Sequence, residues 1–192
     1  MNRRDALSTV SLILGGTVVG SHAFLTGCQP KRSFKSGILK PDDMILLEEV
    51  AETILPTTEN SPGAKAAGVG EFMNPMITDC YPEVEQQIFT AGLVQLESTC
   101  KTQYGDRFID LKPEQRHQFL LSLEKEAKEY NTDRETKNDG TAPQPHYYSM
   151  IKQLTLLGYF TSEIGQTQAL RYLPVPGKYQ GCIPYNGEPA WG

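Results

Sequence analysis

The chain has 192 residues, a formal net charge of -5 and a pI near 5.3. Its hydrophobic fraction of 39% and charged fraction of 21% describe a folded globular chain with a core of ordinary size and exclude wholesale disorder. A mildly acidic chain whose longest basic cluster is Lys31-Arg32-Ser33-Phe34-Lys35 also lacks the basic stripe that phosphate neutralisation requires, which argues against nucleic-acid binding.

Residues 1–27 have the parts of a bacterial export signal. Arg3 and Arg4 form a charged head, and an apolar stretch diluted by small and polar residues runs from Ala6 to Phe24. The stretch ends in Leu25-Thr26-Gly27-Cys28, a lipobox: a small residue at the scissile bond, then a cysteine to carry the thioether. Cys28 is therefore the expected lipidation site. The competing readings are an ordinary signal peptide and a membrane anchor, the latter weakened by the broken apolar run. The pair Arg3-Arg4 also resembles a twin-arginine signal, the route for folded cargo. Asn2 and Ala6 depart from that pattern, so the twin-arginine and general routes both stay open. Residues 28–40 then read as a lipidated cysteine followed by a polar tether. The expected location is the periplasmic side of a bacterial membrane, inner or outer, held by lipid.

A first helix is predicted from Pro41 to Leu55. Proline suits its first position, Asp42 and Asp43 favour the positive end of its dipole, and Ile45, Leu46, Leu47, Val50, Ala51 and Ile54 form its apolar face. Pro56 stops it, and residues 57–63 are dense in turn formers. A short helix over Val69–Thr78 carries Phe72, Met73, Met76 and Ile77, with Pro75 expected to bend or interrupt it. Pro82 to Thr99 is a clearer helix, with Val84, Ile88, Ala91, Leu93, Val94 and Leu96 as its face. After a connector at 103–108, Pro113 and Glu114 open another helix bearing Phe119, Leu120, Leu123 and Ala127. Thr132 to Pro145 is polar and reads as a surface excursion. His146 to Thr161 is a buried helix with Tyr147, Met150, Ile151, Leu154, Leu156, Leu157 and Phe160, and 166–170 adds a turn.

The fold class is thus all-α: an irregular domain of about five helices over 41–170, followed by an extended Pro/Gly/Tyr-rich arm over 171–192. The arm has no helical or strand period, and its prolines hold extended geometry. It displays Tyr172, Tyr179, Cys182, Ile183, Tyr185 and Trp191. Aromatics on such a segment suit partner anchors, and the plain alternative is a tail folded back on its own helices.

Cys80, Cys100 and Cys182 remain once Cys28 carries lipid. An odd count in an oxidising compartment implies a free thiol or an inter-chain bond. Cys80 and Cys100 can pair and leave Cys182 for a partner, or all three stay reduced. Chemical motifs are otherwise missing from the sequence. It has no Gly-x-Gly-x-x-Gly after a strand, no Cys-x-x-Cys-His and no Gly-x-Ser-x-Gly. His117 reads as solvated and His146 as a helix-start residue, which makes a poor metal set. No catalytic, cofactor or metal residue is assigned to the chain.

Two strings carry a resemblance. Leu47-Glu48-Glu49-Val50-Ala51-Glu52-Thr53-Ile54-Leu55-Pro56-Thr57-Thr58 is followed by Ser61-Pro62-Gly63-Ala64-Lys65-Ala66-Ala67-Gly68-Val69. Leu154-Thr155-Leu156-Leu157-Gly158-Tyr159-Phe160-Thr161-Ser162-Glu163 comes later, with Tyr172-Leu173-Pro174-Val175-Pro176-Gly177. Together they resemble the gluconate 2-dehydrogenase subunit 3 family over roughly 44–185. The resemblance implies a small, non-catalytic subunit of a membrane-associated sugar or polyol dehydrogenase. Its partner is a large flavoprotein of the glucose-methanol-choline type holding FAD, and a c-type cytochrome often takes the electrons. The small subunit typically bears the export signal. A lipobox such as that ending at Cys28 is not general in the family. The expected partner-facing residues are Tyr159, Phe160, Tyr172, Tyr179, Cys182, Tyr185 and Trp191. The alternatives are a stand-alone periplasmic ligand-binding lipoprotein using the tyrosine-rich tail, and an enzyme using groups such as Tyr159 and Glu163.

Overall fold

In the computed structural model, the described residues are 37–136, 144–175, 177, 178 and 181–192. Arg3, Arg4, Cys28 and Tyr179 lie outside them, as do the signal and most of the tether. Five α-helices follow in chain order: α1 (Pro41–Ile54), α2 (Val69–Pro75), α3 (Glu83–Tyr104), α4 (Pro113–Thr136) and α5 (Tyr147–Thr161). Short wide turns of π type follow α2 at Met76–Cys80 and α5 at Gly165–Ala169, and a 3₁₀ turn at Phe108–Asp110 joins α3 to α4. Among the described residues there is no strand, only two isolated bridges. The all-α expectation holds.

Sequence chemistry explains most helix ends. Pro41 occupies the first turn of α1, and Asp43 accepts the Lys40 backbone N–H at 2.9 Å. Gly105, at φ 84°, closes α3 in the left-handed conformation that a β-carbon disfavours. Pro75 ends α2 without stopping the coil. Its missing N–H is absorbed where the backbone widens into the π turn that follows. Two helices outrun their expected ends. α3 continues to Tyr104, and α4 reaches Thr136, into the stretch read as a surface excursion.

The core confirms most of the expected faces and corrects those of α3 and of α5, where Leu156, Leu157 and Phe160 of the expected buried helix are exposed. Leu46, Leu47, Val50 and Ala51 of α1 are buried, but Ile45 faces water. On α3 the buried set is Phe89, Leu93, Leu96 and Cys100, while Val84 and Val94 are exposed, the latter at 72%. The expected α3 face mixed two neighbouring stripes. The one carrying Phe89 goes inward because an aromatic side chain removes the most apolar area from water. Where α3 meets α5, Gly92 leaves room for Tyr147; a β-carbon there would run into the Tyr147 side chain. Gly158 of α5 does the same for Phe72 of α2.

Polar ties connect the helices at half-buried positions. Arg116 of α4 donates through Nη1 to Glu49 of α1 at 2.5 Å. It also donates to the Ile109 and Leu111 carbonyls at 2.7 and 3.0 Å. Lys152 of α5 meets Glu124 of α4 at 2.7 Å. The folded body begins before Pro41. Leu39 is buried, its N–H donates to Asn74 Oδ1 at 3.3 Å, and the Ile38 N–H donates to Thr78 Oγ1 at 3.1 Å. Residues 37–40, drawn as tether on composition, are therefore docked on the end of α2.

Candidate docking site

The loop between α1 and α2 is organised by one carboxylate. Glu52, in the last turn of α1, accepts the Thr57 N–H and the Thr57 hydroxyl, each at 2.9 Å. Its other oxygen accepts the Lys65 N–H at 2.9 Å. Thr57 Oγ1 in turn accepts the Gly63 N–H at 3.0 Å. A β-carbon on Gly63 would collide with the Glu52 carboxylate, so only glycine lets the loop fold over that group. Glu49, one turn back, takes Lys65 and Arg116. Burial raises its pKa, but the two cations outweigh that and hold the carboxyl below its ordinary value.

This loop is fastened to α5 by Tyr159. The Tyr159 hydroxyl donates to the Pro62 carbonyl at 2.6 Å and lies 2.6 Å from Ser61 Oγ, which then donates to it. Tyr159 itself is only 3% exposed. The two strings that carried the resemblance thus meet in space, and Tyr159 is the joint. This corrects its assignment to a partner-facing surface: its ring is in the core and its hydroxyl is committed within the chain.

Phe160, the next residue, points outward. Its ring stands edge-on to Tyr159, with centroids 5.1 Å apart and an interplanar angle of 78°. It extends an open stripe of α5 with Leu156 and Leu157. The chain then turns sharply, with the Gly165 N–H held by Ser162 Oγ at 2.9 Å. Gln166 reaches back and donates to the Phe160 carbonyl. Gln166 also lies against Gly192, so the last residues of the sequence are brought beside the end of α5.

The C-terminal segment closes on itself. The Arg171 N–H donates to the Ala190 carbonyl at 2.8 Å, and the Gly192 N–H donates to the Arg171 carbonyl at 3.3 Å. The Arg171 guanidinium sits over the Trp191 ring, 4.1 Å from its centroid. The expected arm is therefore a loop with its ends together. Tyr172, Leu173, Val175, Ile183 and Tyr185 stand exposed along it, Val175 and Tyr185 at 79% and 78%. Of the residues expected to face a partner, Phe160 is on α5, Trp191 precedes Gly192, which lies against Gln166, and Tyr172, Cys182 and Tyr185 lie on the loop. The partners Gln166 and Arg171 went unrecognised. An isolated glutamine or arginine carries no sequence signal for a contact whose other member is elsewhere in the chain.

Among the described residues the cysteines are unpaired: Cys80 and Cys182 are exposed, and Cys100 is buried. The Cys80–Cys100 pairing is thus not formed. Cys100 is a core side chain of α3, and burial pushes its thiol up to about 11. His146 is buried at the start of α5, where Nδ1 accepts the Tyr148 N–H at 3.2 Å. Burial lowers its pKa, against the pull of Glu126, 3.7 Å from Nε2. His117 and Glu163 are exposed. Among the described residues, no three His, Cys, Asp or Glu are grouped to hold a metal ion, and no helix is long and apolar enough to cross a membrane. Two of the open clefts among the described residues have charged linings. One of about 280 Å³, between α4 and α5, is lined by Glu124, Lys128 and Lys152. One of about 340 Å³ is lined by Asp42, Glu97 and Arg107. Lys152 and Glu124 pair in the first; the second, which also includes Asp43, is net acidic, and its Arg107 pairs with Asp110.

Residues 41–177 match the family model described as gluconate 2-dehydrogenase subunit 3. No curated protein and no solved structure matched the chain.

Proposed function

The chain belongs to the gluconate 2-dehydrogenase subunit 3 family, and on that premise we propose that it is the non-catalytic small subunit of a periplasmic, FAD-dependent sugar or polyol dehydrogenase. In this reading the large subunit, a flavoprotein of the glucose-methanol-choline type, performs the oxidation. A c-type cytochrome as a third subunit takes the electrons. This chain supplies export through the Arg3-Arg4 signal, tethering through lipid on Cys28, and stability by contact.

One observation carries the contact. Large apolar and aromatic side chains stand exposed on α5 and on the C-terminal loop. Leu156, Leu157 and Phe160 lie on α5, Gln166 donates to the Phe160 carbonyl and lies against Gly192, the neighbour of Trp191, and Tyr172, Val175 and Tyr185 are on the loop. Scattered exposed hydrophobics are ordinary, but a run of large ones on one helix and the loop after it supports an interaction surface. Aromatic anchors of this kind supply most of the energy of a protein interface.

Co-purification tests the reading. The tagged full chain, expressed in its native host, should bring down a larger protein in one-to-one ratio with a flavin absorbance band. Phe160→Ala should weaken that recovery about tenfold or more, as expected for a central aromatic anchor. A monomer that recovers no flavoprotein refutes the reading. Stabilisation of the lone chain by a sugar or peptide would instead favour a ligand-binding lipoprotein.

A further inference from the structure

The contact surface depends on a loop whose prolines keep it from pairing along its length. Residues 171–192 include Pro174, Pro176, Pro184 and Pro189, each without a backbone N–H to give to a ladder. Such a segment has little means of keeping a shape along its length. Among the described residues, its ordering contacts gather at the base. They are the two backbone hydrogen bonds between Arg171 and the Ala190–Gly192 stretch and the Arg171 guanidinium over the Trp191 indole. Glu188 adds an ion pair to Arg171 Nη1 at 3.8 Å. Gly187, at φ 85°, makes the turn that aims Glu188 back, and Glu188 also accepts the Asn186 N–H at 3.3 Å.

From this we infer that Arg171 and Trp191 form a latch: they close residues 171–192 into a loop, and the closed loop is the state that presents the aromatic side chains to the partner. The inference rests on the docking role proposed above for these side chains. Arg171 is suited to the task. Its Nε is buried and has no hydrogen-bond partner, so that edge of the guanidinium has given up water for its place over the indole. A planar cation on the face of a tryptophan is the strongest pairing of its type, and lysine reproduces it only in part. The contacts are few, and Trp191 itself is 56% exposed, so the latch is reversible. A partner that binds only the closed loop sees its affinity reduced by the fraction of chains that are open.

Trp191 is the single tryptophan of the chain, so its fluorescence reports the latch directly. The experiment is acrylamide quenching of the full-length chain, wild type against Arg171→Gln and Arg171→Lys. Arg171→Gln should shift the closed-to-open ratio toward open by roughly threefold and raise the quenching constant accordingly, with Arg171→Lys intermediate. Helical circular dichroism should be unchanged, because Arg171 lies beyond α5. Equal quenching in wild type and Arg171→Gln overturns the latch. Co-purification of the same variants with the flavoprotein subunit forms the second arm, and recovery should fall in proportion to the open fraction. Greater quenching with undiminished recovery also overturns the proposal, because the loop would then open without consequence for docking. Failure of the wild type to bind any flavoprotein refutes the docking role instead, and quenching alone then decides whether the latch exists.

Discussion

Replacing Tyr159 by phenylalanine isolates the joint between the two family strings. The ring keeps its place in the core and its edge-on contact with Phe160, and only the hydroxyl is lost. That hydroxyl makes two contacts at 2.6 Å, one to the Pro62 carbonyl and one to Ser61 Oγ. A buried acceptor left without its donor costs about 1–3 kcal/mol. Ser61 Oγ already lies 3.3 Å from the Pro62 carbonyl and can take over part of the lost bonding, so the lower half of that range applies, about 1–2 kcal/mol. Urea unfolding of the chain should show a lower midpoint with an unchanged slope, since no additional surface is exposed. In thermal unfolding the loss corresponds to about 2–4 °C per kcal/mol for a domain of this size. Ser61→Ala should cost less alone, and the double variant should cost less than the sum, because the two side chains share one bond. Limited proteolysis should also accelerate within residues 56–63, where the loop loses its fastening to α5. A change below about 0.5 kcal/mol, the size of an indifferent surface substitution, would refute the claim that Tyr159 locks the loop.

Gly158→Ala should destabilise by about 1–3 kcal/mol in the same urea assay, because the new β-carbon would sit 2.6 Å from the Phe72 ring. Arg116→Met should cost about 3 kcal/mol, since it leaves the half-buried Glu49 with Lys65 alone and two carbonyls without a donor. Phe89→Ala should cost about 3–5 kcal/mol, whereas Val94→Ser, five residues along α3 but open to water, should change stability by less than about 0.5 kcal/mol. Stability should also fall with acid. His146 has a folded pKa below its ordinary 6.5, so its contribution is full above pH 6.5 and is lost as pH falls through the folded value. The unfolded chain takes up the proton first, and His146→Asn, which keeps an acceptor for the Tyr148 N–H, should flatten that part of the pH profile as followed by chemical denaturation.

Local rules and recognisable strings made much of this protein legible before any geometry. Pro41, Pro56, Pro82 and Pro113 bound helices because a proline fits a first turn and not an interior. The buried face of α4, and that of α1 apart from Ile45, followed from spacing at steps of three and four. The strings around Pro56–Ala64 and Gly158–Glu163 pointed to the family later matched over residues 41–177. What the tertiary structure alone decided were contacts between positions far apart in the chain. The inward stripe of α3 was settled by the volume of Phe89 against its neighbours. Tyr159 turned inward because Ser61 and Pro62, nearly a hundred residues earlier, offer its hydroxyl two partners in a buried place. Cys100 stayed a thiol because its helix aims it into the core and not at Cys80. The C-terminal segment closed where the Arg171 backbone pairs with Ala190 and Gly192 and its guanidinium meets the face of Trp191, twenty residues on. A sequence states which groups each residue carries. Which groups meet is fixed when burial and hydrogen bonding are satisfied together across the whole fold.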